Sequence, residues 1–343
     1  KKDLADRETD QLSDRVPDDF DTPYDMHAVI ELIVDDGDYL EIKDEYAKNL
    51  ITCFCRFNGQ VVGLVGDAGV GKSRLLLEFR NQLSRDEFTY FEGQCLPFGG
   101  TMAYLPVLDI LRSYFNIKEG DLESLIKKNV ETRILKLNDK LHRVLAPFYD
   151  LLSLDVEDSA YEELEPRQKR EMIFEAIRDL LVYESQKNPV IIVVEDLHWI
   201  DRTSEEFLDY LIGGLTGARI LLLFLYRPEY THPWGSKSYY NRVGLGQLTS
   251  ESSAELIRSI LPDGEAVKQL EGFILERTSG NPLFMEELIH TLLENGSIQC
   301  EEGRCLLLKN ATEIQVPDTI EGIIAARMDR LEDDIKRTMQ VAS

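Results

Sequence analysis

The sequence predicts an α/β fold, a parallel sheet with helices on both faces, and three stretches carry that prediction. Val61-Val62-Gly63-Leu64-Val65 is a short apolar run that breaks into the glycine-rich Gly66-Asp67-Ala68-Gly69-Val70-Gly71 and resumes at Lys72 as a helical pattern. Pro189 to Val194 is a continuous run rich in β-branched residues, as a strand buried on both faces of a parallel sheet should be, and it ends in Glu195-Asp196. Ala218 to Tyr226 (ARILLLFLY) is a third apolar run, closing on Arg227-Pro228-Glu229.

Taken in order, Lys1 to Phe20 is polar, Asp-rich and expected to be loosely ordered. Tyr24 to Val34 reads as a helix with Asp25 as N-cap, ended by Asp35-Asp36-Gly37; Tyr39 to Ile42 and Asn49 to Phe57 read as strands, the second closing on the turn Asn58-Gly59. The helix from Lys72 should bury Leu75, Leu76, Leu77 and Phe79. Phe88 to Gln94 is a second strand, Cys95 to Gly100 a loop, and Tyr104 to Phe115 a helix. Further helices fill Leu122 to Val144, Phe148 to Leu154 and Arg167 to Glu184, with a break at Pro166. After the second apolar strand, Thr203 or Ser204 should cap a helix through Leu215, and Val243 to Leu248 reads as the last strand. From Thr249 the pattern is helical: Ser253 to Leu261, Ala266 to Arg277, a helix from Pro282 to Asn295 with Asn281 as N-cap, and another from Val316.

The chemistry sits at the glycine turn. Gly66, four residues, then Gly71-Lys72-Ser73 fits the Walker A spacing, between a strand and a helix as that motif requires. Its glycines let successive amides of Gly66, Asp67, Ala68, Gly69, Val70 and Gly71 wrap a polyphosphate, and the helix N-terminus adds partial positive charge. Lys72 should reach the β- and γ-phosphates of ATP, and the Ser73 hydroxyl should take one place on Mg²⁺. Carboxylates at the carboxyl end of a neighbouring strand face the same phosphates. The pair alone does not fix which does which; by position Glu195 ends the strand and is assigned to the metal, leaving Asp196 as the catalytic candidate. Arg227, at a strand tip beside the γ-phosphate position, is either a nucleotide sensor or a surface arginine, and Pro282 at its bend could touch the adenine. His198 and Trp199 are expected as packing or hydrogen-bonded residues under the sheet.

Composition bounds the rest. The chain has 343 residues, enough for two or more domains, and it is expected to be a piece of a longer polypeptide. With 38 Lys and Arg against 63 Asp and Glu, the net charge of -25 repels a phosphate backbone at long range, so nucleic acid is excluded as a partner while a focused site for one nucleotide is not. Apolar runs such as Ile220 to Tyr226 are too short to span a bilayer, which places the protein in the cytoplasm, without a membrane partner. The five cysteines are scattered; Cys53 and Cys55 share a strand face, and Cys300 and Cys305 could face each other across a hairpin, expected as a reduced pair.

Two resemblances follow from these residues. The run Val16-Pro17-Asp18-Asp19, Pro23 to Met26, Val34 to Gly37 and Tyr46 to Thr52 resembles the carboxyltransferase (β) subunits of biotin-dependent acyl-CoA carboxylases, over about the first sixty residues only and without the parts that build the CoA and biotin sites. From Val61 onward the glycine loop, Cys95 to Pro106, Glu195-Asp196-Leu197-His198-Trp199, Tyr226-Arg227-Pro228, Ser279 to Phe284 and Val316-Pro317 resemble the AAA-type ATPase module of signal-transduction ATPases found beside adenylate/guanylate cyclase domains. That resemblance implies a P-loop NTPase core over 59–248, a helical lid over 249–315 whose Gly280-Asn281-Pro282 contacts nucleotide, and the start of a winged helix over 316–343, after a small N-terminal α+β segment over 1–58. It further implies slow ATP hydrolysis as a switch and self-association or protein partners through downstream domains. The alternatives are an acyl-CoA carboxylase component and a nucleotide-binding module without turnover. Because Val61 to Val65 cannot serve both as the outer strand of a carboxyltransferase hairpin and as a central ATPase strand, the ATPase is expected to take it.

Overall fold

The computed structural model describes residues 59–83, 87–97, 103–261, 265–301, 304–308, 319 and 322. The predicted helix and strands before the Asn58-Gly59 turn, the Cys53 and Cys55 pair and the helix from Val316 lie outside the described residues, apart from isolated positions.

Five strands form one parallel sheet: β1 (Gln60–Val65), β2 (Thr89–Gln94), β3 (Val190–Glu195), β4 (Ile220–Tyr226) and β5 (Tyr240–Gly244), in the order β2-β3-β4-β1-β5. The apolar runs of β3 and β4 take central positions because only there are both faces of a strand covered, and every residue of β4 is buried. β1 is central too: Val61 stands opposite Leu222 on one side and Tyr240 on the other, so the ATPase sheet does take this strand. The last strand begins earlier than expected, at Tyr240 rather than Val243, and ends at Gly244. Pairing with β1 sets that register; residues 245–248, assigned to the strand from their pattern, leave the sheet to run along the lid, where the Leu248 amide donates to the Gly280 carbonyl at 2.9 Å.

The helices pack by their apolar stripes. In α1 (Lys72–Gln82) Leu76 is buried but Leu77 is 47% exposed, contrary to the expected stripe, since consecutive helical positions point about 100° apart and the three consecutive leucines Leu75, Leu76 and Leu77 cannot share one face. Helix α2 (Leu105–Phe115) crosses β2 so closely that a Cβ on Gly93 would lie 2.3 Å from the Pro106 carbonyl oxygen. Helices α3 (Glu123–Leu137), α4 (Leu145–Leu151), the single turn α5 (Ser159–Glu162) and α6 (Pro166–Lys187) continue this layer, with Phe115 and Phe148 fully buried in edge-to-face contact. The predicted helix 122–144 is divided at Asn138, whose extended backbone ends α3 and whose side chain caps the 3₁₀ turn Asp139–Val144. Helix α7 (Arg202–Gly213) is capped by Asp201, not by Thr203 or Ser204: its carboxylate accepts from the Ser204 amide at 2.9 Å and from the Ser204 hydroxyl.

Helices α8 (Ser250–Ile260), α9 (Glu265–Thr278) and α10 (Pro282–Glu294) form a second core around Ile257, Leu270, Ile274, Met285 and Leu288. A two-stranded hairpin, β6 (Ile298–Glu301) and β7 (Arg304–Leu307), adjoins it. Cys300 and Cys305 are directly opposed in this hairpin and joined by a disulfide, so the expected reduced pair is replaced by a bonded one. Direct antiparallel pairing brings the two thiols within bonding reach, which sequence separation alone does not show. Among the described residues no helix is long and apolar enough to cross a membrane.

Candidate functional site: a phosphate loop between sheet and lid

The loop from Gly66 to Gly71 leaves the carboxyl end of β1 and enters α1. Gly69 and Gly71 hold φ values of 79° and 98°, where a side chain is strained, and a Cβ on Gly66 would lie 2.7 Å from the Leu245 carbonyl oxygen. Asp67 and Ala68 are exposed at the loop's crest, and Val70 turns inward and is buried. Lys72 curls back over the loop, its ammonium donating to the carbonyls of Gly66 (2.7 Å) and Asp67 (2.8 Å). Burial lowers its pKa from the usual lysine value and the Arg227 guanidinium lowers it further, while Asp196 opposes both.

The start of α1 meets the tip of β3. Ser73 lies in the first turn of α1, and its hydroxyl donates to Glu195 Oε2 at 2.7 Å, across a separation of 122 residues. A hydroxyl and a carboxylate converging at an exposed helix N-terminus are the hard oxygen donors that suit Mg²⁺, so the residues present fit the expected metal. Burial raises the Glu195 pKa; Ser73 opposes that shift, and the Glu92 carboxyl beside it on the edge strand adds to it. Glu92 is itself held by Tyr90 (3.2 Å) and Arg80 (3.1 Å).

Asp196 follows at φ 52°, a left-handed conformation that is strained for a residue with a side chain and that opens the 3₁₀ turn Leu197–Trp199. Arg227, at the carboxyl end of β4, is half-buried and lies 5.4 Å from the Trp199 ring centre, and Trp199 packs on His198 at 4.5 Å. The expectation of packing for His198 and Trp199 holds. Hydrogen bonding does not: neither buried ring nitrogen of His198 has a partner among the described residues, and burial lowers its pKa, helped by Arg227.

Pro282 stands at the first position of α10, and the residues flanking it grip the loop from outside. Asn281 Nδ2 donates to the Ala68 carbonyl at 2.9 Å, and the Leu283 amide donates to the Gly69 carbonyl at 3.2 Å. The structure thus gathers Lys72, Ser73, Glu195, Asp196 and Arg227 at one end of the sheet and sets Pro282 beside the loop. Sequence reasoning missed three contributors. Asn281 was legible as a helix cap and, by family resemblance, within a nucleotide-contacting segment, but not as a partner of the loop; Glu92 was legible as one polar position on a strand, and Trp199 as packing without its Arg227 partner, because each acts through a residue distant in the chain.

A parallel sheet that presents a strand-loop-helix phosphate cradle and an acidic strand tip defines a P-loop ATPase fold. The pattern of the AAA ATPase domain matches residues 44–224, more than half of the chain, and the chain belongs to that family. The carboxyl transferase domain matches residues 1–76, and a domain of unknown function (DUF8739) matches residues 249–306. Among curated relatives, an uncharacterized protein of Rhizobium meliloti is 28% identical over 278 residues, covering 80% of this chain and 26% of that protein. The methylmalonyl-CoA decarboxylase subunit alpha of Veillonella parvula is 48% identical over 61 residues, 18% of this chain and 12% of the relative. The chain therefore spans only a minor part of either relative. A crystal structure of a Signal Transduction ATPase with Numerous Domains (STAND) protein with a tetratricopeptide repeat sensor, from Pyrococcus horikoshii, aligns over 83% of this chain and 32% of its own at 13% identity, with a TM-score of 0.38.

Proposed function

We propose that this chain is a MgATP-binding regulatory ATPase of the signal-transduction type, which hydrolyses ATP slowly and uses the bound nucleotide as a conformational switch. The observation that carries the reading is the 2.7 Å contact between Ser73 and Glu195, which joins the loop helix to the acidic strand tip. In this reading the amides of Gly66 to Gly71 wrap the phosphates and Lys72 supplies a point charge to the β- and γ-oxygens. Ser73 and Glu195 hold Mg²⁺, which when bound neutralises phosphate charge. Asp196 accepts a proton from the attacking water, and its strained backbone fixes where that carboxylate points. Arg227 leaves Trp199 to meet the γ-phosphate, and Pro282 lies against the adenine. The domain limits proposed are 1–58 for the carboxyltransferase-like segment, 59–248 for the core, 249–315 for the lid and 316–343 for the start of a winged helix. Self-association gated by nucleotide belongs to the same reading.

MgATP titration of the purified chain tests it. Lys72→Ala should abolish binding, and unchanged affinity in that variant ends the assignment. Asp196→Asn should bind normally but release phosphate at least about a hundredfold more slowly. If phosphate release is the same in both chains, the module holds nucleotide without using Asp196 for turnover.

A further inference from the structure

We propose that Asn281 is a positioning residue: the lid sets the phosphate-binding amides of the loop through it, from the side of the loop that the phosphates do not touch. The inference rests on the nucleotide reading above and adds how the lid regulates that site.

The argument begins with peptide geometry. In a planar trans peptide the carbonyl and the following N–H point in opposite directions, and among the described residues no peptide is cis. Fixing a carbonyl therefore aims the next amide. Asn281 Nδ2 holds the Ala68 carbonyl at 2.9 Å, which aims the Gly69 N–H the other way. The Leu283 amide holds the Gly69 carbonyl at 3.2 Å, which aims the Val70 N–H likewise. Leu283 is free to donate because it is the second residue of α10, where helical amides have no partner within the helix.

Asn281 is suited to this in a way a simple cap is not. Its Oδ1 accepts from the Phe284 amide at 3.1 Å, so one oxygen fastens the helix while the nitrogen of the same amide group fastens the loop. The fit is close: a Cβ on Gly69 would lie 2.7 Å from Asn281 Oδ1. Gly280, at φ 82° and with its carbonyl taking the Leu248 amide, fixes the approach of the segment. Donors aimed before the ligand arrives need no reordering when it binds, so the linkage should tighten phosphate binding. By reciprocity, phosphate in the loop should hold the lid closed.

The test separates the cap from the link. Asn281→Ser keeps an N-cap oxygen for Phe284 but is too short to carry a second donor to Ala68. Its melting temperature should stay near the parent value. Its affinity for MgATP and for inorganic tripolyphosphate should fall together, by roughly five- to tenfold for one lost orienting hydrogen bond. Amide exchange at residues 66–71 of the tripolyphosphate-bound chain should rise. Loss confined to MgATP, with tripolyphosphate unaffected, would place Asn281 at the base end and overturn the proposal, as would unchanged affinity or unchanged loop exchange. A parent chain that binds no MgATP removes the nucleotide reading itself, whereas a parent and an Asn281→Ser chain that bind equally remove only the linkage.

Discussion

Glu195 shows how a single side chain is made ready and at what cost to the fold. Burial and the neighbouring Glu92 raise its pKa, so the folded chain binds its proton more tightly than the unfolded chain does. The sign follows: the contribution is fully present below the unfolded glutamate value and is lost as pH rises through the folded one. At neutral pH the ionised carboxylate is therefore a burden that a metal would relieve. Glu195→Gln should raise the melting temperature near pH 7 and leave it unchanged at pH values below the ordinary glutamate range, while losing Mg²⁺-dependent nucleotide binding. Calorimetric scans across that pH range check the first part, and titration with and without Mg²⁺ checks the second. The acidic pair was legible because it ends an apolar strand. Its environment was not, because Glu92 lies about a hundred residues away in the chain and only strand pairing brings it alongside.

At the scale of the element, α7 depends on the residue that caps it more than its composition suggests. Asp201 is 6% exposed, accepts from both the amide and the hydroxyl of Ser204, and receives the Tyr104 amide at 3.4 Å. It thereby ties the start of α7 to the start of α2. Asp201→Ala should cost about 2 kcal/mol, a lost cap plus donors left without a partner, measured as a lower urea midpoint with an unchanged slope. The caps expected from the sequence were Thr203 or Ser204, and propensity ranks Asp201 about equally with them. What decides is where the chain enters the helix, set by the 3₁₀ turn that precedes it. The same limit applies to β5: its apolar pattern was visible, but its ends are set by pairing with β1.

For the molecule as a whole, the core and the lid have separate apolar clusters and meet at the phosphate loop. A ligand bound there stabilises both. MgATP at about a hundred times its Kd should add about 2.7 kcal/mol and raise the melting temperature by a few degrees. Lys72→Ala should show no such shift, and differential scanning with both chains measures it. The sequence by itself determined the phosphate loop, the apolar strands and the order of the helices, because glycine content, side-chain period and capping act between residues close in the chain. It also marked the first sixty residues as related to a different family, since that information lies in consecutive residues. Only the tertiary structure decided that Ser73 meets Glu195, that Asn281 holds the loop as well as its helix, that Asp201 caps α7, and that Cys300 is bonded to Cys305. The long-range contacts join groups that no local pattern relates, and the cap and the disulfide depend on how the chain approaches a helix or pairs a strand; packing fixes both.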